Sequence, residues 1–166
     1  MITSRMIYRS RQFFASLRPR VDPALGDEAF ALLSEPERHL FGSMTLRDQQ
    51  HGTDVYRRLR RQHSDRDLLV AALLHDCGKG QIALWHRVAY VLLSASAPSL
   101  LRRVGGEGTG ASWRQALYRC LHHAELGARM AEQAGSAPRV VALIRGDHTR
   151  EGNEQLAALQ AADDAA

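Results

Sequence analysis

Apolar residues recur along this chain at intervals of three and four, and nowhere alternate between hairpin turns, so the pattern predicts helices throughout. Thr45 with Asp48 reads as a capping box opening a helix to about Gln62, with His51, Val55 and Leu59 stepping by four along one face. Ser64 with Asp67 predicts a second helix reaching His75, and its segment Leu68–Leu74 is apolar on every side, which predicts full burial. Ser34 with Glu37 and Ser112 with Gln115 mark two further starts. From Trp113 an inward stripe runs through Ala116, Leu117, Cys120, Ala124, Gly127 and Ala131, with His123 three beyond Cys120. Ser136 before Pro138 signals a helix through about Asp147, bearing Val141, Ile144 and His148 on one face. Asn153 opens a last helix, where Leu156, Leu159 and Asp163 share a face. The most apolar stretch, Ile82 to Leu101, is broken by His86, Arg87 and Pro98. About ten clean apolar residues remain, too few to span a bilayer, so a buried helix or one covering a pocket is expected. Trp85 and Tyr90 read as its core stripe, with stacking on a base as the alternative. The reading is an all-α single domain, residues 45–166, preceded by a helical N-terminal extension, residues 1–44.

Composition agrees with a folded domain: 166 residues, 45% hydrophobic and 24% charged are enough to close a core and exclude disordered or collagen-like classes. The formal net charge of +4 suits phosphate-bearing partners. The run Arg57, Arg58, Arg60, Arg61 nevertheless reads as a solvated face, and with only 6% aromatics the interleaved pattern of a nucleic-acid binder is missing. Cys77 and Cys120 form neither a CxxC pair nor a disulfide framework. Arginines interrupt every apolar run in the first 21 residues, leaving no signal-peptide core. A cytoplasmic protein is expected. The glycine-rich piece Gly105–Gly110 lacks the Lys and Ser/Thr of a phosphate-cradling loop and reads as a linker. Lys79 is the only lysine, against 21 arginines.

Five predicted helices thus each deliver a histidine or carboxylate to an inward face: His51, His75 with Asp76, His123, His148 and Asp163. Any one of them has an ordinary reading as a hydrogen-bonded core residue. Together they would crowd unpaired polar groups into one core, which is costly without a cation. Imidazoles and carboxylates without thiolates suit Mn, Fe, Co, Ni or Zn. Six side chains exceed one tetrahedral ion, so two neighbouring ions are expected, able to polarise a phosphoryl oxygen and acidify a bridging water.

The run His75-Asp76-Cys77-Gly78-Lys79, preceded by His51 and followed by His123-Ala124-Glu125-Leu126-Gly127, His148 and Ala162-Asp163, resembles the HD-domain metal-dependent phosphohydrolase superfamily, in its two-metal branch. The resemblance covers roughly residues 45 to 165. It implies a helical bundle of the HD type in which His51, His75 and Asp163 hold the first metal, Asp76 bridges both, and His123 with His148 complete the second. Lys79 matches the motif lysine, placed in the family near the substrate phosphate or bridging water, so Asp76 and Lys79 are the expected catalytic residues. Asp147 stands where many relatives carry a second histidine; it reads as a solvated helix end, with support of a metal ligand as the alternative. His122 is an alternative ligand to His123. The Gly-Tyr-Pro element of the cyclic-di-GMP-degrading group is absent.

These readings converge on a phosphohydrolase or phosphodiesterase acting on a nucleotide or small phosphoester. Lys79, Arg145 and Arg150 are the candidates for its phosphate, with Arg87 behind them. A non-catalytic nucleotide- or metal-binding regulatory module is the alternative. No nucleic-acid or membrane partner is expected, and a chain this short is compatible with a homodimer.

Overall fold

The computed structural model describes residues 23–105, 112–148 and 153–166, and these contain helices and turns without strands. The helices are α1 (Pro23–Leu32), α2 (Glu35–Gly42), α3 (Leu46–Arg60), α4 (Arg66–Leu74), α5 (Leu84–Ser96), α6 (Pro98–Val104), α7 (Ser112–Gln133), α8 (Pro138–Arg145) and α9 (Asn153–Ala165), with a 3₁₀ turn at Cys77–Lys79. The all-α expectation holds. Among the described residues no helix is long and apolar enough to cross a membrane.

The apolar run of α4 dictates its place. All seven residues from Leu68 to Leu74 are buried, each large side chain contributing about 1.5–3 kcal/mol of transfer free energy. α3 and α8 pack against it, and α9 closes over α3. Ala29, Leu33, Leu40, Phe41 and Met44 belong to the same buried core. Helices α1 and α2 are therefore built into the bundle, while residues 1–22 lie outside the described residues.

Local signals are confirmed in part. Ser34 and Glu37 form both halves of a capping box on α2, and Thr45 Oγ1 accepts from Asp48 N at the start of α3. For α4 the cap is Asp65, not Ser64: Asp65 Oδ1 accepts from Leu68 N at 3.0 Å. Ala137, not Ser136, precedes α8, because the Ser136 hydroxyl instead donates to buried Glu37 Oε1 at 2.8 Å. That helix ends at Arg145 rather than Asp147, where Gly146 takes the left-handed φ of 82° that a glycine adopts without steric cost. The side chains of Ser112 and Asn153, and the glycine-rich segment 106–110, lie outside the described set.

The segment Ile82–Leu101 departs most from expectation. It forms two helices parted at Ala97–Pro98, and α5 turns Trp85, Val88, Val91 and Leu92 to solvent. Tyr90 does pack inward, against Ile82, Ala116 and Cys120, but Trp85 is 59% exposed and Trp113 is also exposed. What anchors α5 is polar. Arg87 donates to both oxygens of Asp48, Nη1 to Oδ1 at 2.7 Å and Nη2 to Oδ2 at 2.6 Å, and Asp48 is buried. Arg87, half-buried, is thus the tie between α5 and the start of α3. Removing one member of a buried, bidentate pair leaves the other charge unsolvated. Arg87→Ala is expected to cost about 3–5 kcal/mol, read as a lowered urea midpoint, with Arg87→Ala/Asp48→Ala recovering part of the loss.

Candidate metal centre

Four side chains from three parts of the fold meet at one end of α4. His51, on the second turn of α3, places Nε2 2.7 Å from Oδ1 of Asp163 on α9. His75, the residue that ends α4, places Nε2 3.4 Å from the same oxygen and 3.6 Å from Asp76 Oδ1. His51, His75 and Asp76 each bring one ligand atom within 4.8 Å of the others. The stripe positions explain the convergence: His51 continues the face of Val55 and Leu59, and Asp163 that of Leu156 and Leu159, all four of which are buried.

The donor set fits a cation. His75 Nδ1 donates to Ala72 O at 2.9 Å, which leaves Nε2 as the atom facing the carboxylates. That atom is buried and makes no aligned hydrogen bond. A buried polar atom without a partner is costly, and a metal ion bound there would satisfy it. The backbone carbonyl holding Nδ1 is the outer support that ligating histidines ordinarily have. His123 repeats the device, with Nδ1 donating to Cys120 O at 2.9 Å and Nε2 3.9 Å from Asp76 Oδ1.

Two glycines bring His123 to this position. The 3₁₀ turn packs so closely on α7 that a Cβ on Gly78 would lie 2.0 Å from His123 O and 2.5 Å from Gly127 N. Helix α7 is kinked at His122 (φ −113°, ψ 16°), and the exposed His122 ring lies against Tyr118, centroids 4.5 Å apart. His123, not His122, is therefore the residue that approaches Asp76. His148 is exposed just beyond α8 and is not one of the three residues, His51, His75 and Asp76, whose ligand atoms cluster; exposed Asp147 pairs with Arg145 at 3.4 Å. Buried Cys77, beside Asp76, has its thiol pKa pushed up to about 12 by burial and by the Asp76 charge, and its Sγ donates to Gly127 O at 3.5 Å.

The charges are strongly coupled. Burial works against ionised Asp76, yet His75 and Lys79 together hold its carboxyl far below the usual carboxylate range. Asp163 is likewise held low, its partial burial outweighed by His51 and His75. Burial also disfavours protonated His75, but Asp76 and Asp163 outweigh it and raise its pKa. Burial and Lys79 lower that of His123. The signs give a testable pH dependence. The His75 contribution is present below the ordinary histidine value of about 6.5 and is lost as pH rises through the raised one. Above about 6.5 neither the carboxylates nor His123 adds a compensating change. Chelator-treated protein is expected to melt at lower temperature as pH rises from about 6.5 to 8, below the range in which thiols titrate. A bound divalent cation replaces that proton and removes the loss. A flat melting profile for the chelated protein would contradict this coupling.

Lys79 Nζ donates to Asp76 Oδ2 at 2.5 Å. Arg145 pairs with Glu125 at 3.0 Å and with Asp147, and Arg150 lies outside the described residues. Sequence reasoning missed Arg119. Its exposed guanidinium packs over Gly80, so close that a Cβ there would meet Nη1 at 2.6 Å. It has no carboxylate partner among the described residues. The only sequence signal was Gly80 itself, whose φ of 63° marks a turn that lets a neighbour approach. Comparison with family models, curated proteins and solved structures finds no match to this chain.

Proposed function

We propose that this protein is an HD-type, metal-dependent phosphohydrolase acting on a nucleotide or another small phosphoester. The observation that carries the reading is buried His75 Nε2, without an aligned hydrogen bond and facing Asp76 and Asp163 beside His51. His51, His75, Asp76 and Asp163 would hold the first ion. Asp76 and His123 flank a position for a second, for which His148 is the further candidate ligand. A bound transition-metal ion of the Mn, Fe, Co, Ni or Zn group supplies Lewis-acid polarisation of a phosphoryl oxygen and a more acidic water.

The chain's own residues supply the rest. Asp76 carries the negative charge between the two positions and is kept ionised by Lys79 and His75. Lys79 has a compact ammonium on a flexible stem, and can pass from Asp76 Oδ2 to a substrate phosphate oxygen without losing a charged partner. Arg119, one residue further along the same turn through its contact with Gly80, presents a planar fork suited to bidentate phosphate recognition. Hydrolysis of a phosphoester needs this kind of positioned positive charge as its negative charge redistributes.

The test is a panel of cyclic dinucleotides, dinucleoside polyphosphates and mononucleotides, incubated with Mn- or Fe-loaded protein and read for released product. At least one member is expected to be consumed. Lys79→Arg should then lower its turnover by about 10²-fold, the scale of losing one positioned donor, with metal content unchanged. Binding of nucleotide without consumption of any member would instead identify a regulatory module.

A further inference from the structure

Helix α5 leaves much of its apolar surface facing outward while burying polar groups. Its less exposed side carries His86, Arg87, Ala89, Tyr90 and Leu93; its exposed side carries Val88, Val91, Leu92 and Trp85, whose indole lies against the His86 ring with centroids 3.6 Å apart. Buried His86 has no hydrogen-bond partner for either ring nitrogen among the described residues, while Leu92 is 62% exposed. An amphipathic helix normally turns its large apolar side chains to the core. Leu100, exposed on neighbouring α6, brings the count of outward apolar side chains on this hairpin to five. They offer roughly 500 Å² of apolar surface, against about 800 Å² that each partner contributes to a standard interface.

We infer that the outer face of α5 and α6 is a self-association surface, and that its occupant is a second copy of this chain. Charge decides between this and the other apolar occupant, a lipid surface. The exposed residues of α5 include no Lys, Arg, Asp or Glu, so two copies can meet with no like-charge cost. A helix lying in an anionic bilayer surface draws instead on cations along its polar face, and the one cation of α5, Arg87, is bound to buried Asp48. The exposed Arg102 and Arg103, in the last turn of α6, form a polar rim. Trp85 and Leu92 lie two helical turns apart, about 10 Å. A twofold axis passing near Val88 would set Trp85 of each copy against the partner's Leu92, the self-complementary contact that a two-fold dimer requires. Tryptophan at the end of such a stripe is the residue type that most often anchors an interface.

Sedimentation velocity over a dilution series tests this directly. The wild-type chain is expected to sediment as a dimer at micromolar concentration and to dissociate on dilution. Leu92→Glu, on an exposed position that the fold does not need, should raise the dissociation constant about tenfold or more, because each copy must then desolvate a carboxylate. Circular dichroism of the variant should match the wild type. Trp85→Ala, which adds no charge, should weaken the dimer in the same direction. A wild-type chain that stays monomeric at the highest soluble concentration would overturn the inference. So would a dimer untouched by both variants. Flotation of a monomeric wild type with phosphatidylcholine–phosphatidylglycerol vesicles, lost in Leu92→Glu, would assign the face to a bilayer instead.

Discussion

Asp76→Asn is expected to lower phosphoester turnover by about 10³-fold or more, equivalent to roughly 4 kcal/mol of transition-state stabilisation, while leaving the helical content intact. The side chain is 2% exposed and stands 3.6 Å from His75 Nε2, 3.9 Å from His123 Nε2 and 2.5 Å from Lys79 Nζ. Asparagine keeps the shape but removes the charge that these three groups share. Any cation held by His51 and His75 loses its buried anionic partner. Lys79 loses the carboxylate that positions it, although its ammonium is exposed enough to turn to water, so the penalty to folding is small. Metal content should fall together with turnover. A variant that keeps the wild-type rate on the substrate found in the panel would remove Asp76 from the chemistry.

Gly78→Ala is expected to be the most damaging single-methyl change among the described residues, costing more than about 4 kcal/mol, beyond the range of ordinary substitutions. The added carbon would meet His123 O at 2.0 Å and Gly127 N at 2.5 Å. Both are backbone atoms of α7 and cannot rotate away, so the turn and the helix must separate. Separation moves His123 from Asp76 and opens the packing of Cys77 on Gly127 O. Gly127→Ala provides the control. Its Cβ would find Gly78 N at 3.2 Å and Cys77 Sγ at 3.3 Å, a tight but adjustable fit, and alanine recovers about 1 kcal/mol of helix propensity. Urea unfolding should therefore rank Gly78→Ala far below Gly127→Ala. Equal midpoints would show that the turn and α7 are not held at this separation.

The sequence made the bundle legible wherever the signal is local or periodic. The unbroken apolar run Leu68–Leu74 marked the buried helix, and the caps at Ser34 and Thr45 are satisfied within three residues. Steps of three and four put His51 and Asp163 on core faces, which sufficed to bring together two side chains 112 positions apart. Reading failed where the partner is distant or absent. Ser136 carries the chemistry of a cap but spends its hydroxyl on Glu37, 99 positions away. Ser64 and Asp65 are both good caps, and only backbone geometry selects Asp65. The partner of Arg87 is hidden because Asp48 lies 39 positions back, and that of Arg119 because Gly80 reveals nothing about what approaches it. Hydropathy marks α5 as apolar but carries no direction, so it could not show that the apolar side faces outward. The stripe drawn through His148 also runs past its helix, because α8 ends at Arg145.

His51, His75, Asp76 and Asp163 are proposed to form a metal centre. Metal analysis of the protein purified without oxygen or chelators tests it most directly, with a His75→Ala chain prepared in parallel. At least one transition-metal ion per folded wild-type chain is expected, with less than a tenth of that retained by His75→Ala. Less than one ion per wild-type chain, or equal metal in the two proteins, would contradict the account.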